Sequence, residues 1–243
     1  INTYKNQTHE KLQTLLPIHK TTLDMAVRHL PSPREAQQYR IPRIWKGNIN
    51  ASIGQAMLNC TDAGAATIYI TNTRIDPKNG TVATGRLFSG QIKPNAQVYL
   101  VNAKKTHTIQ QVTISMSQYR QLADKVTAGN IAAITSLGTL HTGETLVDPA
   151  YKDTMTPFEQ IKNPTEPLIT ISLEPKQPTQ LPQLIQAMQR LATEDPNLTV
   201  TINKETGEYQ LNGIGPLHLE IALKNLADST GHNIEINTPK PTV

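Results

Sequence analysis

The sequence predicts two consecutive folded units: an all-β barrel, then an α+β unit of the ferredoxin-like βαββαβ type. Three observations carry this. Between Ile41 and Asp148, short apolar runs alternate with dense turn signals and show no helical stripe. Past a proline-rich stretch, strands and amphipathic helices follow in a set order. The charge balance changes sign at the same place, with 16 Lys and Arg against 8 Asp and Glu in residues 1–150 and 7 against 11 in residues 151–243. Short strands punctuated by turns mark barrels and sandwiches. A charge reversal implies surfaces for partners of different character.

At 243 residues the chain can bury one large core or two modest ones without crosslinks. The lone Cys60 cannot close an internal disulfide, so a reducing, cytoplasmic setting is expected. No apolar run approaches a membrane span, which predicts a soluble protein. The chain opens on Ile1 with the polar INTYKNQTHEKLQ and reads as a piece of something longer.

Taken in order, residues 10–30 place Leu23, Ala26, Val27 and Leu30 at helical spacing, with Thr22 as the expected cap and Pro31 and Pro33 as the stop. The barrel strands include ATIYI, QVYLV, QQVTISM and NIAAI. Asp76-Pro77, Asn79-Gly80, Pro94-Asn95, Gly129-Asn130 and Thr142-Gly143 punctuate them. YKDTMTPFEQIKNPTEP reads as a linker. LITISL (168–173) alternates as a strand, and a helix follows with Leu181, Leu184, Ile185, Met188, Leu191 and Ala192 on one face, ended by Asp195-Pro196. LTVTIN and EYQLN, joined by KETG, form a hairpin, and NIEIN (233–237) is the expected last strand.

GIGPLHLEIALKNL (213–226) fits two periods. Leu217, Leu219, Ile221 and Leu223 alternate like a strand, whereas Leu219, Ala222, Leu223 and Leu226 form a helical stripe. A helix completes the βαββαβ order and covers the sheet. Gly215 suits an N-cap, Pro216 loses no hydrogen bond at the first helical position, and Glu220 with Lys224 has favourable spacing. The helix is therefore predicted.

The chemistry classes tested are mostly excluded. No G-x-x-x-x-G-K-[ST] loop occurs, and Gly213-Ile214-Gly215 lacks the third glycine of a dinucleotide fingerprint because position 218 is His. His218-Leu219-Glu220 lacks the P-C-x-x-C partner of a zinc deaminase, and no H-x-x-x-H pair is present. No nucleophile elbow appears, and Cys60 reads as a small packed residue. No catalytic residue and no metal ligand are expected. What remains is basic: Arg28, Arg34, Arg40, Arg43 and Lys46, then Arg86, Lys93, Lys104, Lys105 and His107. Such residues neutralise a phosphate backbone when they are not simply a solvated surface. The scarcity of aromatics favours folded RNA touched through its backbone over stacked single strands.

VRHLPSPREAQQYRIPRIWKG (27–47), VATGRLFSGQI (82–92), AGNIAAI (128–134), LPQLIQAMQRLATEDPNL (181–198) and ETGEYQLNGIGPLHLEI (205–221) resemble, in order and over nearly the whole chain, translation elongation factor 2. That family is the translocation GTPase of archaea and eukaryotes, similar to bacterial elongation factor G. The short connection through NAKKTHTIQQV resembles the archaeal type. The resemblance implies that residues 1–40 are the last helix of the G domain and its exit, 41–150 the β-barrel domain II, 151–164 a linker, and 165–243 the ferredoxin-like domain III. It further implies that GTP and magnesium belong to parts of the factor outside this piece, which has no GTPase site of its own.

The resemblance implies partners as well: the ribosome, through small-subunit RNA and proteins, and the factor's G domain and domains IV and V, with no membrane. Under it, Leu23, Val27 and Leu30 form a stripe that the G domain covers. Arg40, Arg43, Lys46, Arg86, Lys104 and Lys105 become the candidate contacts to ribosomal phosphate. Gly213, Gly215, Pro216, His218 and Glu220 become the turn and helix start of domain III. Two positions depart from the family pattern: Pro216 stands where Glu is usual, and Asn95-Ala96 replaces a glycine turn. Two other readings share the residues, namely an assembly factor related to the spliceosomal or ribosome-maturation GTPases, and a free-standing RNA-binding barrel.

Overall fold

The computed structural model describes residues 9–76, 80–116, 119–136, 140–159, 167–175, 177–203, 208–230 and 240–242. Four helices lead in: α1 (His9–Leu15), α2 (Ile18–His29), α3 (Pro33–Ile44) and α4 (Ser52–Leu58). Helix α2 buries no residue, and Val27 on the predicted stripe is 83% exposed. Thr22 is not its cap. Pro17 holds that position, and the Thr22 hydroxyl donates back to the Ile18 carbonyl at 2.8 Å, the usual resort of a threonine inside a helix.

Helix α3 begins where the sequence reading expected only a stop. Pro33 is its first residue and Ser32 its N-cap. The Glu35 N–H donates to Ser32 Oγ at 3.3 Å, and the Ser32 N–H donates to Glu35 Oε2 at 2.9 Å. Ser32-Pro33-Arg34-Glu35 is thus a capping box with proline at the first position, so the proline that stops α2 also starts α3. The Ser32 backbone and hydroxyl hold the Glu35 carboxyl below the ordinary carboxylate range. The helix start therefore weakens as pH falls through that range. The boundary expected at residue 40 lies inside α3, because its Ala36, Gln37 and Ile41 are buried with the units that follow.

The strands are β1 (Thr67–Asp76), β2 (Gly80–Ser89), β3 (Gln91–Ile92), β4 (Gln97–Leu100), β5 (Lys105–Met116), β6 (Tyr119–Leu122), β7 (Val126–Thr127), β8 (Ile131–Ser136) and β9 (Thr145–Val147). Seven of them form one sheet in the order β4-β9-β1-β2-β8-β5-β6, an added β4–β5 pairing closes a ring with β6 outside it, and β3 pairs with β7 in a separate two-stranded ladder. Closure leaves few free edges. The interior is filled from alternate positions, among them Ile68, Ile70, Leu87, Leu100, Ile109, Ile134 and Leu146. Asn95 takes φ 65°, the left-handed conformation that a glycine would otherwise supply at this turn.

A second apolar layer lies outside the ring. Ile41 and Trp45 of α3 and its exit, Ile53 and Met57 of α4, and Tyr69, Phe88 and Val147 of the barrel enclose Met155 and Phe158. The first half of the expected linker is therefore a packed strap. Phe158 stacks on Phe88 at 5.0 Å and tilts against Tyr69 at 5.3 Å. Trp45 Nε1 donates to the Thr156 carbonyl at 2.7 Å, and the Tyr69 hydroxyl donates to that of Glu159 at 3.0 Å.

The second unit runs β10 (Ile169–Leu173), α5 (Leu181–Glu194), β11 (Thr199–Ile202), β12 (Tyr209–Gly213), α6 (Pro216–Ser229) and β13 (Lys240–Thr242). Its antiparallel sheet has the order β11-β12-β10-β13, the arrangement of a ferredoxin-like unit, so the predicted fold class holds for both halves. The strand expected at 233–237 lies outside the described residues. Ile171, Leu173 and Leu211 of the sheet meet Leu184, Met188 and Leu191 of α5 and Leu219, Ala222 and Leu226 of α6. Each large side chain buried there contributes about 1.5–3 kcal/mol.

Candidate functional site

The six basic candidates separate into different settings. Arg40 and Arg43 are exposed on α3, and Lys46 follows it and pairs with Glu159 across 3.7 Å, both side chains being largely in water. Such a pair adds little stability and leaves the ammonium available. Arg86 is half-buried on β2, opposite Ile131 at the start of β8. Burial, and then the charge of Arg40, push its pKa down. Its Nε–H is buried without a partner, while the guanidinium lies 5.9 Å over the Phe88 ring. Arg40 instead has its guanidinium 5.7 Å from the centre of the Tyr39 ring.

Lys104, in the connection between β4 and β5, and Lys105, the first residue of β5, lie elsewhere, near the start of β9. Lys104 holds φ 54°. The loop is pinned by Glu144, a carboxylate 5% exposed that the sequence reading did not single out. Glu144 Oε1 accepts from the backbone N–H groups of Asn102 at 2.9 Å and Thr145 at 3.0 Å, and Oε2 accepts from Ala103 at 3.3 Å. Its only sequence signal is an acid in the Thr142-Gly143 turn, which more often faces solvent.

The 213–220 turn has a different role from the basic residues. Pro216 opens α6 and Gly215 is its N-cap. The Ile214 N–H donates to His218 Nδ1 at 3.2 Å, so Nε2 carries the proton and donates to Asp195 Oδ2 at 2.9 Å. His218 therefore ties the start of α6 to the residue that caps α5. Glu220 is exposed on the outer face of α6, away from this contact network.

The two glycines are not equivalent. A Cβ on Gly213 would lie 2.8 Å from Leu219 Cδ2 and 3.1 Å from His218 Nδ1, whereas one on Gly215 would meet nothing within 4 Å. Gly215 is extended, at φ −170°, a conformation open to any residue. Gly213→Ala is expected to destabilise the second unit by about 1–3 kcal/mol through overpacking. Gly215→Ser is expected to stabilise it by a few tenths of a kcal/mol through a side-chain cap. Urea titration of the two variants checks both signs.

The same region meets the barrel. The Ile75 N–H of β1 donates to Glu194 Oε1 at the end of α5, at 2.7 Å. Beside this bond lies a cleft of 430 Å³ lined by Asn72 and Arg74 of β1, Glu194 and Asp195, and His218 and Asn225 of α6. Pattern reading missed Glu194 as a link because nothing in a helix-end glutamate indicates which backbone it will reach. Among the described residues no group of His, Cys, Asp or Glu could hold a metal ion, and no helix is long and apolar enough to cross a membrane.

Comparison with known proteins agrees with this division. Residues 80–147 match the family profile described as elongation factor Tu domain 2, and residues 165–238 match that of elongation factor G, domain III. Over 229 residues the chain is 48% identical to elongation factor 2 of Staphylothermus marinus, covering 94% of the chain and 31% of the relative. Over 231 residues it is 50% identical to that of Ignicoccus hospitalis, covering 95% and 31%. For Aeropyrum pernix the figures are 46% over 229 residues, 94% and 31%. The chain thus spans under a third of the length of these relatives.

Proposed function

We propose, for a chain that belongs to the elongation factor 2 family across both of its folded units, that it is the ribosome-docking and relay portion of a GTP-dependent translocase. In this reading the whole factor acts in the cytoplasm and moves tRNA and mRNA through the ribosome during elongation. GTP and magnesium are assigned to other parts of that factor. The barrel docks on the small subunit through its basic side, and the second unit conveys nucleotide state between the remaining domains.

The observation that carries the relay is the junction. Glu194 of α5 takes a backbone N–H from β1, and His218 and Asp195 bind α6 to the same end of α5. A displacement of either helix therefore acts on the barrel through hydrogen bonds, which break or hold and do not stretch gradually. The docking half is supported by the excess of positive charge in residues 1–150 and by exposed Arg40, Arg43, Lys104 and Lys105, for which the described residues record no carboxylate pair.

Co-sedimentation with small ribosomal subunits across a salt series tests the docking. Binding is expected to fall steeply with salt, and neutralising Arg40, Arg43, Lys104 and Lys105 together is expected to flatten the log–log slope by about one unit for each residue that touches phosphate. Absence of binding at low salt, or a slope unchanged in the variant, would sink the assignment of these residues.

A further inference from the structure

We propose that Glu194 is a releasable latch that holds the second unit against the barrel and sets the angle between them, an inference that rests on the relay reading above. Strand β1 is shaped to receive it. Strand β9 pairs only with residues 67–69 of β1, and the register of β1 against β2 shifts between Ile70 and Asn72. Such a bulge bends a strand and re-aims its edge. Past it, no described strand covers the outer edge of β1, and the Ile75 N–H donates to Glu194 Oε1 at 2.7 Å. Asp76, the next residue, is held by Arg120 of β6 across 3.4 Å, which steadies the end of the strand.

The helix that carries the latch is unsuited to it. Glu194 is the last residue of α5, Asp195 is its C-cap, and the last turn has no basic residue. A carboxylate at the negative end of a helix dipole is unfavourable. Asp195 is compensated by His218 at 2.9 Å, whereas no cation among the described residues pairs with Glu194. Its compensation comes from the barrel, through a charge-assisted bond about twice as strong as a neutral one. A local cost that is offset only across the junction marks a residue placed for the junction.

Apolar packing does little to hold the units together. The barrel core, its outer layer and the core of the second unit are separate clusters, and no described cluster draws on both units. A cleft opens on either side of Glu194. One, of 430 Å³, is faced by Asn72, Arg74 and Asn225, and the other, of 400 Å³, by Ile75, Arg190 and Ser229. Leu191 and Glu194 line both, so the contact of α5 with β1 is a narrow ridge between two open spaces. Domains joined without a continuous apolar interface move relative to one another. Parting therefore leaves both cores intact, and the closed and open states differ chiefly in whether Glu194 holds the Ile75 N–H or water.

The test measures the distance between spin labels at two exposed positions, one on the barrel and one on α6, placed by Lys93→Cys and Lys224→Cys in a Cys60→Ser background. One narrow distribution is expected for the parent. Glu194→Lys suits the helix end but cannot accept a hydrogen bond, and is expected to lower the closed-to-open ratio about tenfold. Glu194→Gln keeps an uncharged acceptor and should fall between the two. Amide exchange inside α5 should be unchanged in both variants, which separates opening from unfolding. A distribution unmoved by Glu194→Lys, or one that broadens only with faster exchange throughout α5, overturns the latch. The same labels in the whole factor, with a non-hydrolysable GTP analogue and with GDP, separate the latch from the relay. A nucleotide-dependent distance that Glu194→Lys abolishes supports both. A nucleotide-dependent distance indifferent to that substitution overturns the latch and leaves the relay. Opening by Glu194→Lys with no nucleotide dependence in the parent supports the latch and overturns the relay.

Discussion

Replacing Trp45 by alanine is expected to lower the stability of the barrel half by about 3–5 kcal/mol, the range for truncating a buried tryptophan. The side chain is 2% exposed and sits where α3 ends, among Ile41, Met57, Met155 and Phe158. Two losses combine. The apolar contacts leave a cavity that α3 and α4 cannot both collapse into, and the Thr156 carbonyl loses its indole donor. The strap at 155–159 then loses one of its two anchors at the end of α3, although the Glu159 N–H still donates to the Ile44 carbonyl at 3.3 Å and Tyr69 still reaches the Glu159 carbonyl. Chemical denaturation of Trp45→Ala beside Trp45→Phe separates the terms, since phenylalanine restores most of the volume but not the donor. A Trp45→Ala variant within about 1 kcal/mol of the parent would show that the second layer is not cooperative with the ring.

Glu144→Ala is expected to cost about 3 kcal/mol or more, because it leaves the backbone N–H groups of Asn102, Ala103 and Thr145 without their acceptor in a buried setting. Glu144→Gln keeps one oxygen and is expected to cost about half as much. The damage should be local first. Amide exchange at Asn102 and Ala103 should rise well before the Leu146 and Ile134 core opens. Because the loop carries Lys104 and leads directly into Lys105, ribosome pelleting should weaken although no positive charge has been removed. Faster exchange with unchanged pelleting would detach these two lysines from docking.

Much of the second unit was legible because two periods coincided with strong punctuation. The stripe Leu184, Met188, Leu191 and the Gly215-Pro216 start needed no tertiary knowledge. Helices α3 and α4 were not legible in the same way. The α3 sequence is polar through most of its length, and what buries it is the barrel wall, not a stripe of its own. Its Ser32 to Glu35 capping box was the available signal. Thr22 was misplaced for a related reason: a threonine can cap a helix or bond back within one, and the choice depends on where the helix begins, here at Ile18 after Pro17.

The site divides along the same line. Residue types and their charge are local properties, so the sequence by itself determined a basic barrel half, an acidic second half and the two fold classes. It also determined family, through strings whose order and spacing are themselves sequence. Which distant residues meet was decided only by the tertiary structure: the hydrogen bond between Gln37 and Phe88 joins positions 51 residues apart. The same holds for Glu144 under the Lys104 loop and for Glu194 and Ile75, separated by 119 residues. Partners at such separations are selected by how helices and strands pack around apolar cores, and no local pattern along the chain encodes that pairing.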